Sequence, residues 1–81
     1  MDTIKIKPYK FIKNLRNELV MTQKEFGEWL CIEDPFPVIY ISQWERNVVV
    51  PSRKNLRRIM EKAIDGKLKC AENVKFDLED C

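Results

Sequence analysis

Apolar residues recur at three- and four-residue spacing in the first half of the chain, which is the periodicity of amphipathic helices. Pro8 suits a first helical position, and the pattern after it predicts a helix over about 8–20. Thr22 is a good N-cap with Glu25 at capping-box spacing, which predicts a second helix over about 23–31. The predicted inward faces of the two helices comprise Phe11, Ile12, Leu15 and Leu19, and then Phe26, Gly27 and Leu30.

A third helix is expected after a corner that contains two prolines. Pro35 and Pro37 exclude a continuous helix through this segment and force an extended corner. The helix is then predicted from residue 37 or 38 to about residue 46, with Asn47 in the left-handed conformation that ends many helices. Its inward residues are expected to be Ile41 and Trp44.

A last helix is predicted over about 52–65. Ser52 is its expected N-cap, and Gly66 ends it. Its apolar face comprises Leu56, Ile59, Met60 and Ala63. The chain shows no internal repeat and no linker, so we expect one structural unit.

Each end of the chain carries a short segment in which apolar and charged residues alternate. Residues 3–7 alternate apolar with basic residues before Pro8 closes the segment, and residues 74–78 alternate in the same way. These segments are predicted to pair as a small sheet, either within one chain or between two chains.

Length and composition favour a compact helical domain. The chain has 81 residues, of which 44% are hydrophobic and 35% are charged, and only two are glycine. We predict an all-α fold: a bundle of four to five short helices in a single domain 1–81, with a core at 9–65. The termini, 1–8 and 67–81, form an arm and a tail or the small β element. A core this small is marginal alone, so a homodimer is expected.

The charges are segregated along the chain. Residues 41–69 carry eight Lys and Arg against three Asp and Glu, a local charge of +5. Residues 70–81 carry one Lys against four acids, a local charge of −3. A basic body suits phosphate binding, although an ordinary solvated helix face explains the same charges equally well. No apolar run could span a membrane and no signal-peptide pattern opens the chain, which predicts a cytoplasmic protein of the bacterial cytosol or nucleoid.

Residues 22–46 present a polar helix start, an apolar pair, a turn and a second short amphipathic helix, the order typical of a helix-turn-helix. Over about residues 9–65 the chain resembles the Cro/repressor-like (Xre-type) DNA-binding domains. The chief departure is the ten-residue segment between Leu30 and Ile41, which is longer than is usual in that family. The residues that follow the family pattern are Arg16, Thr22, Gln23, Phe26, Leu30, Ile41, Ser42, Trp44, Glu45, Pro51 and Ser52.

The resemblance implies a DNA-binding transcriptional regulator of the kind found in phages and mobile elements. It implies a homodimeric repressor at a two-fold operator that includes its own promoter. Its expected base contacts are Val38, Ile39 and Gln43, and their chemistry suits an A·T-containing half-site. Its expected backbone contacts are Thr22, Gln23, Lys24, Tyr40, Arg46, Ser52, Arg53 and Lys54. The backbone amides at the starts of the second and the last helix are each predicted to hold a phosphate. Arg16 and Glu45 occupy positions that form a structural salt bridge in similar proteins.

The alternative is a protein-binding module that uses the same scaffold, such as an antitoxin or a phage-encoded inhibitor. Apolar residues at positions expected to be exposed are its candidate contacts, and also those of a dimer. They are Trp29, Phe36, Val48, Val49 and Val50. Trp29 could instead pack on the proline-containing corner.

Catalysis and metal binding find no support in the residues. The chain has no histidine and no glycine-rich phosphate loop, so we expect neither an enzyme nor a cofactor, a metal or a small-molecule substrate. Cys31, Cys70 and Cys81 are odd in number and widely spaced, which predicts reduced thiols rather than disulfides or metal ligands.

Overall fold

Four helices and two short strands make up the part of the chain described by a computed structural model, residues 3–30 and 37–78. The predicted class, a small and mainly helical bundle with a two-stranded β element, is confirmed. The elements in chain order are β1 Ile4–Ile6, α1 Pro8–Leu19, α2 Gln23–Trp29, α3 Pro37–Glu45, α4 Arg53–Asp65, a 3₁₀ turn Lys69–Ala71 and β2 Val74–Phe76. None of the helices in these ranges is long and apolar enough to cross a membrane.

The ends of α1 and α2 follow the local signals in the sequence. Pro8 opens α1, and Val20 closes it in the left-handed region, with φ 54°. The predicted capping box of α2 is present: Glu25 N–H donates to Thr22 Oγ1 at 3.1 Å, and Thr22 N–H donates to Glu25 Oε1 at 2.9 Å. The helix is shorter than the expected 23–31, because Leu30 is already its C-cap.

The bounds of α3 and α4 agree with the predictions to within a residue. Asn47 is left-handed as expected, with φ 58°, and it ends the turn after α3. The Ser52 hydroxyl accepts from Asn55 N–H at 3.3 Å and caps α4. Gly66 is the C-cap of α4 with φ −79°, and the left-handed residue is the next one, Lys67.

The terminal strands pair in parallel within one chain. Ile4 lies opposite Val74 and Ile6 opposite Phe76. Parallel strands need a long crossover connection, and the segment that contains the four helices provides it. This arrangement settles the alternative that the sequence left open, pairing within a chain or between chains, in favour of the first.

The core lies where α1 meets the other helices. Its buried apolar residues come from all four helices and from the end of α2: Phe11, Ile12, Leu15, Phe26, Leu30, Ile41, Trp44, Leu56, Ile59 and Ala63. The sheet closes one side of this core, since the Phe76 ring lies edge-on to Phe11 with centroids 5.1 Å apart. The chain termini therefore contribute to the same core as the helices.

Candidate nucleic-acid interface

The inner side of α3 is fixed in the core. Ile41 is fully buried and Trp44 is 4% exposed, as the helical spacing predicted. The Tyr40 ring leans toward Trp44, with centroids 6.4 Å apart. The orientation of α3 about its own axis is therefore set by large buried side chains.

An ion pair between α1 and α3 adds a second constraint on that orientation. Arg16 Nε donates to Glu45 Oε2 at 2.6 Å, and Nη2 donates to Oε1 at 2.8 Å. Arg16 Nη1 also donates to the Met21 carbonyl at 3.1 Å. The hydrogen bond to Glu45 raises the pKa of Arg16, although partial burial opposes the shift. Glu45 is buried, so this expected salt bridge is a structural element and is unavailable to DNA.

The first turns of α3 carry exposed and largely apolar side chains. Val38, Ile39 and Tyr40 are exposed, and Gln43 is half-buried. Ile39 and Gln43 lie one turn apart on the side away from the buried residues, whereas Val38 and Tyr40 each lie one turn before a buried residue. Arg46 is exposed, and its Nε makes a long 3.4 Å hydrogen bond to the Ser42 carbonyl. All three predicted base-contacting residues are therefore at least partly exposed on one helix.

The start of α2 differs from the expected anion site. The capping box places the Glu25 carboxylate at this helix end, and the backbone hydrogen bond from Thr22 lowers the pKa of Glu25. Two of the amides proposed for a phosphate thus already have acceptors within the chain. Thr22 acts as the cap, while Lys24 is exposed and Gln23 is half-buried beside it.

The start of α4 presents cations around a capped end. Ser52, Arg53 and Lys54 are exposed, and the Ser52 hydroxyl accepts the Asn55 amide. The helix has no acidic residue in its first turn, so its positive end is not neutralised by its own side chains. Of the two helix ends predicted to hold phosphate, this one fits better.

The predicted partner-contacting residues divide into two groups. Trp29 is half-buried: it stacks on Phe26 with centroids 5.7 Å apart, and the Lys62 ammonium lies 5.0 Å from its ring centroid. Val48, Val49 and Val50 are exposed, by 63%, 44% and 37%. Phe36 lies outside the described residues, as does the corner at residues 31–36. The valines therefore remain candidates for a contact, whereas Trp29 already has intramolecular partners.

One connection in the fold has no signal in the sequence. The Glu18 carboxylate accepts the backbone N–H groups of Lys69 at 2.8 Å and Cys70 at 3.0 Å, and so caps the 3₁₀ turn. These two hydrogen bonds lower the pKa of Glu18. Burial is the main cause that raises the pKa of the Cys70 thiol to about 11, with the Glu18 charge adding to it. Because the partners lie about fifty residues apart in the chain, no local pattern could have predicted the contact.

Comparison of the chain with protein-family models, with curated proteins and with solved structures gave no match.

Proposed function

We propose that this protein is a sequence-specific DNA-binding transcriptional regulator in which α3 enters the major groove. The observation that carries the proposal is the division of α3 into a buried side and an exposed side. Ile41, Trp44 and Glu45 hold the helix to the body, while Ile39 and Gln43 lie on the other side. A helix can interrogate base edges only when its other face is held in this way.

The proposed base contacts suit a half-site that contains A·T pairs. Gln43 can form a bidentate contact with the N6 and N7 edge of adenine. Val38 and Ile39 present exposed aliphatic groups suited to the methyl group of thymine. Each good contact of this kind discriminates by about 1–3 kcal/mol against the wrong base.

The proposed phosphate contacts flank α3 in the chain. Gln23 and Lys24 precede it at the start of α2, and Tyr40 and Arg46 belong to it or follow it directly. Ser52, Arg53 and Lys54 open α4, whose helix dipole favours an anion there. These groups would set the position of the protein on the duplex without reading sequence.

We further propose a homodimeric repressor that acts in the bacterial cytoplasm at a two-fold operator, its own promoter included. The three exposed valines at Val48–Val50 lie directly after α3 and are the proposed dimer contact. A dimer joined there would place its two α3 helices on successive turns of one DNA face, about 34 Å apart.

A second function has an observation of its own. The first turns of α3 expose Val38, Ile39 and Tyr40, a surface more apolar than a nucleic acid requires. Such a helix could dock into a groove of a protein target, as expected for an antitoxin or a phage-encoded inhibitor.

Salt dependence separates these two functions. We expect binding of a mixed-sequence duplex, followed by fluorescence anisotropy, to weaken steeply between about 50 and 200 mM salt. The logarithm of the binding constant should fall with the logarithm of the salt concentration with a slope of about −5, for about six phosphate contacts. Arg53→Ala should lower the slope by about one, whereas Lys13→Ala, an exposed lysine on α1, should leave it unchanged. Absence of duplex binding at 50 mM salt would contradict the DNA-binding proposal and favour the protein partner.

A further inference from the structure

A groove of about 340 Å³ separates α4 from β2. The side chains of α4 that form its floor are apolar and buried or half-buried. The apolar floor continues along β2. The apolar lining residues are Leu56, Met60, Val74, Phe76 and Leu78. Its volume is at the lower end of the range for pockets that bind ligands, about 300–1,000 Å³.

The groove runs beside the edge of β2 that faces away from β1, which pairs with no other strand of residues 3–30 and 37–78. Ile4 N–H donates to the Asn73 carbonyl at 2.7 Å, and Asp77 N–H donates to the Ile6 carbonyl at 2.7 Å. In a parallel ladder this pattern turns the backbone groups of residues 73, 75 and 77 toward β1, and those of Val74 and Phe76 the other way. Since no residue of β1 lines the groove, the groove lies on the side of β2 where these amides and carbonyls point.

The rim of the groove is basic. Among the described residues, Arg53, Arg57 and Lys75 line it, together with one acid, Glu61. None of these three cations forms an ion pair within the described ranges. Lys75 also lies in register with Lys5 of β1, so two lysines stand on the same face of the sheet.

We propose that this groove binds an extended segment of a partner protein in which apolar and acidic residues alternate. The segment pairs with β2 as a third strand, through the backbone groups of Val74 and Phe76. Alternate side chains then fill the apolar floor, and the acidic ones meet the basic rim. The cations argue against a second copy of this chain, because its own β2 would bring Lys75 and the same basic rim to the interface. This site shares no residue with α3, but it shares Arg53 with the proposed phosphate contacts at the start of α4.

A short peptide tests the proposal with the full chain. The probe is a capped heptapeptide in which glutamate and valine alternate, titrated into ¹⁵N-labelled protein and followed by amide chemical shifts. We expect saturable shifts centred on Val74 and Phe76, with slower hydrogen exchange of these two amides. A peptide with lysine in place of every glutamate should bind at least about fivefold more weakly, and N-methylation of the strand-pairing amides should abolish binding.

Two charge reversals on α4 locate the site. Arg57→Glu, at the rim, should lower the affinity for the acidic peptide about fivefold. Lys54→Glu changes the net charge by the same amount outside the groove and should lower that affinity by less than about twofold. Equal effects of the two variants, equal binding of the lysine peptide, or no shift at Val74 and Phe76 would overturn the proposal. Concentration-dependent shifts of the same amides without peptide would also overturn it, in favour of self-association.

Discussion

Removing either partner of the Arg16–Glu45 pair should destabilise the domain, and the two losses should be unequal. The Glu45 side chain is 5% exposed, whereas that of Arg16 is 23% exposed. Arg16→Met leaves a buried carboxylate without its partner and also removes the hydrogen bond to the Met21 carbonyl, at an expected cost of about 3–5 kcal/mol. Glu45→Gln leaves an arginine that can turn to solvent and keeps one acceptor, so its expected cost is about 1–2 kcal/mol.

The double variant Arg16→Met with Glu45→Leu separates the pair from its surroundings. Replacing both charges removes the buried unpaired group, so its stability should return to within about 1 kcal/mol of the wild type. The total stability of a domain this size is of the order of 4–12 kcal/mol, which makes these differences large.

Urea unfolding followed by far-ultraviolet circular dichroism measures these differences. The m-value should stay constant across the four proteins, so that shifts in midpoint report stability. An Arg16→Met cost no larger than that of Glu45→Gln would refute the argument that burial of the carboxylate sets the asymmetry. A double variant as unstable as Arg16→Met would refute it as well.

Three further predictions concern the C-terminal end of α1 and the 3₁₀ turn that Glu18 caps. Val20 is β-branched, 87% exposed and left-handed, so Val20→Gly should raise the free energy of unfolding by about 1 kcal/mol in the same urea assay, and a loss would contradict the strain. The lowered pKa of Glu18 means that its stabilisation is present above the ordinary value near 4.5 and is lost as pH falls through the lower folded pKa. The Glu18→Gln variant should therefore lose less stability than the wild type as the pH falls below 4.5. Equal losses in the free energy of unfolding of the two proteins over this range would contradict the prediction. The raised pKa of Cys70 predicts slower iodoacetamide labelling at pH 8 in the folded protein than in urea, by peptide mass spectrometry; equal rates would contradict it.

The helices could be predicted because their signals are local. Several helix ends are defined by hydrogen bonds or backbone preferences within a few residues. Examples are the Thr22–Glu25 capping box, the Ser52 N-cap and the left-handed Asn47. The predicted end of α2, at about residue 31, was too late, since the helix ends at Trp29 and Leu30 is its C-cap. Leu30 is buried either way, so its apolar character could not distinguish the two.

The site was predictable only in part, since its remaining features depend on distant contacts. The buried face of α3 followed from the spacing of Ile41 and Trp44. The parallel direction of the sheet, and with it the groove between α4 and β2, did not follow from alternation, which is the same for either strand direction. Trp29 was expected at the surface, but the cation of Lys62 on another helix covers it.

Whether α3 reads DNA bases can be measured by selection from a randomised duplex pool, with sequencing of the bound fraction at two salt concentrations. We predict enrichment of an inverted repeat with A·T-containing half-sites about one helical turn apart, and loss of preference at one or two positions with Gln43→Ala. Recovery of no preferred sequence, or an unchanged preference with Gln43→Ala, would contradict the claim that α3 reads DNA bases.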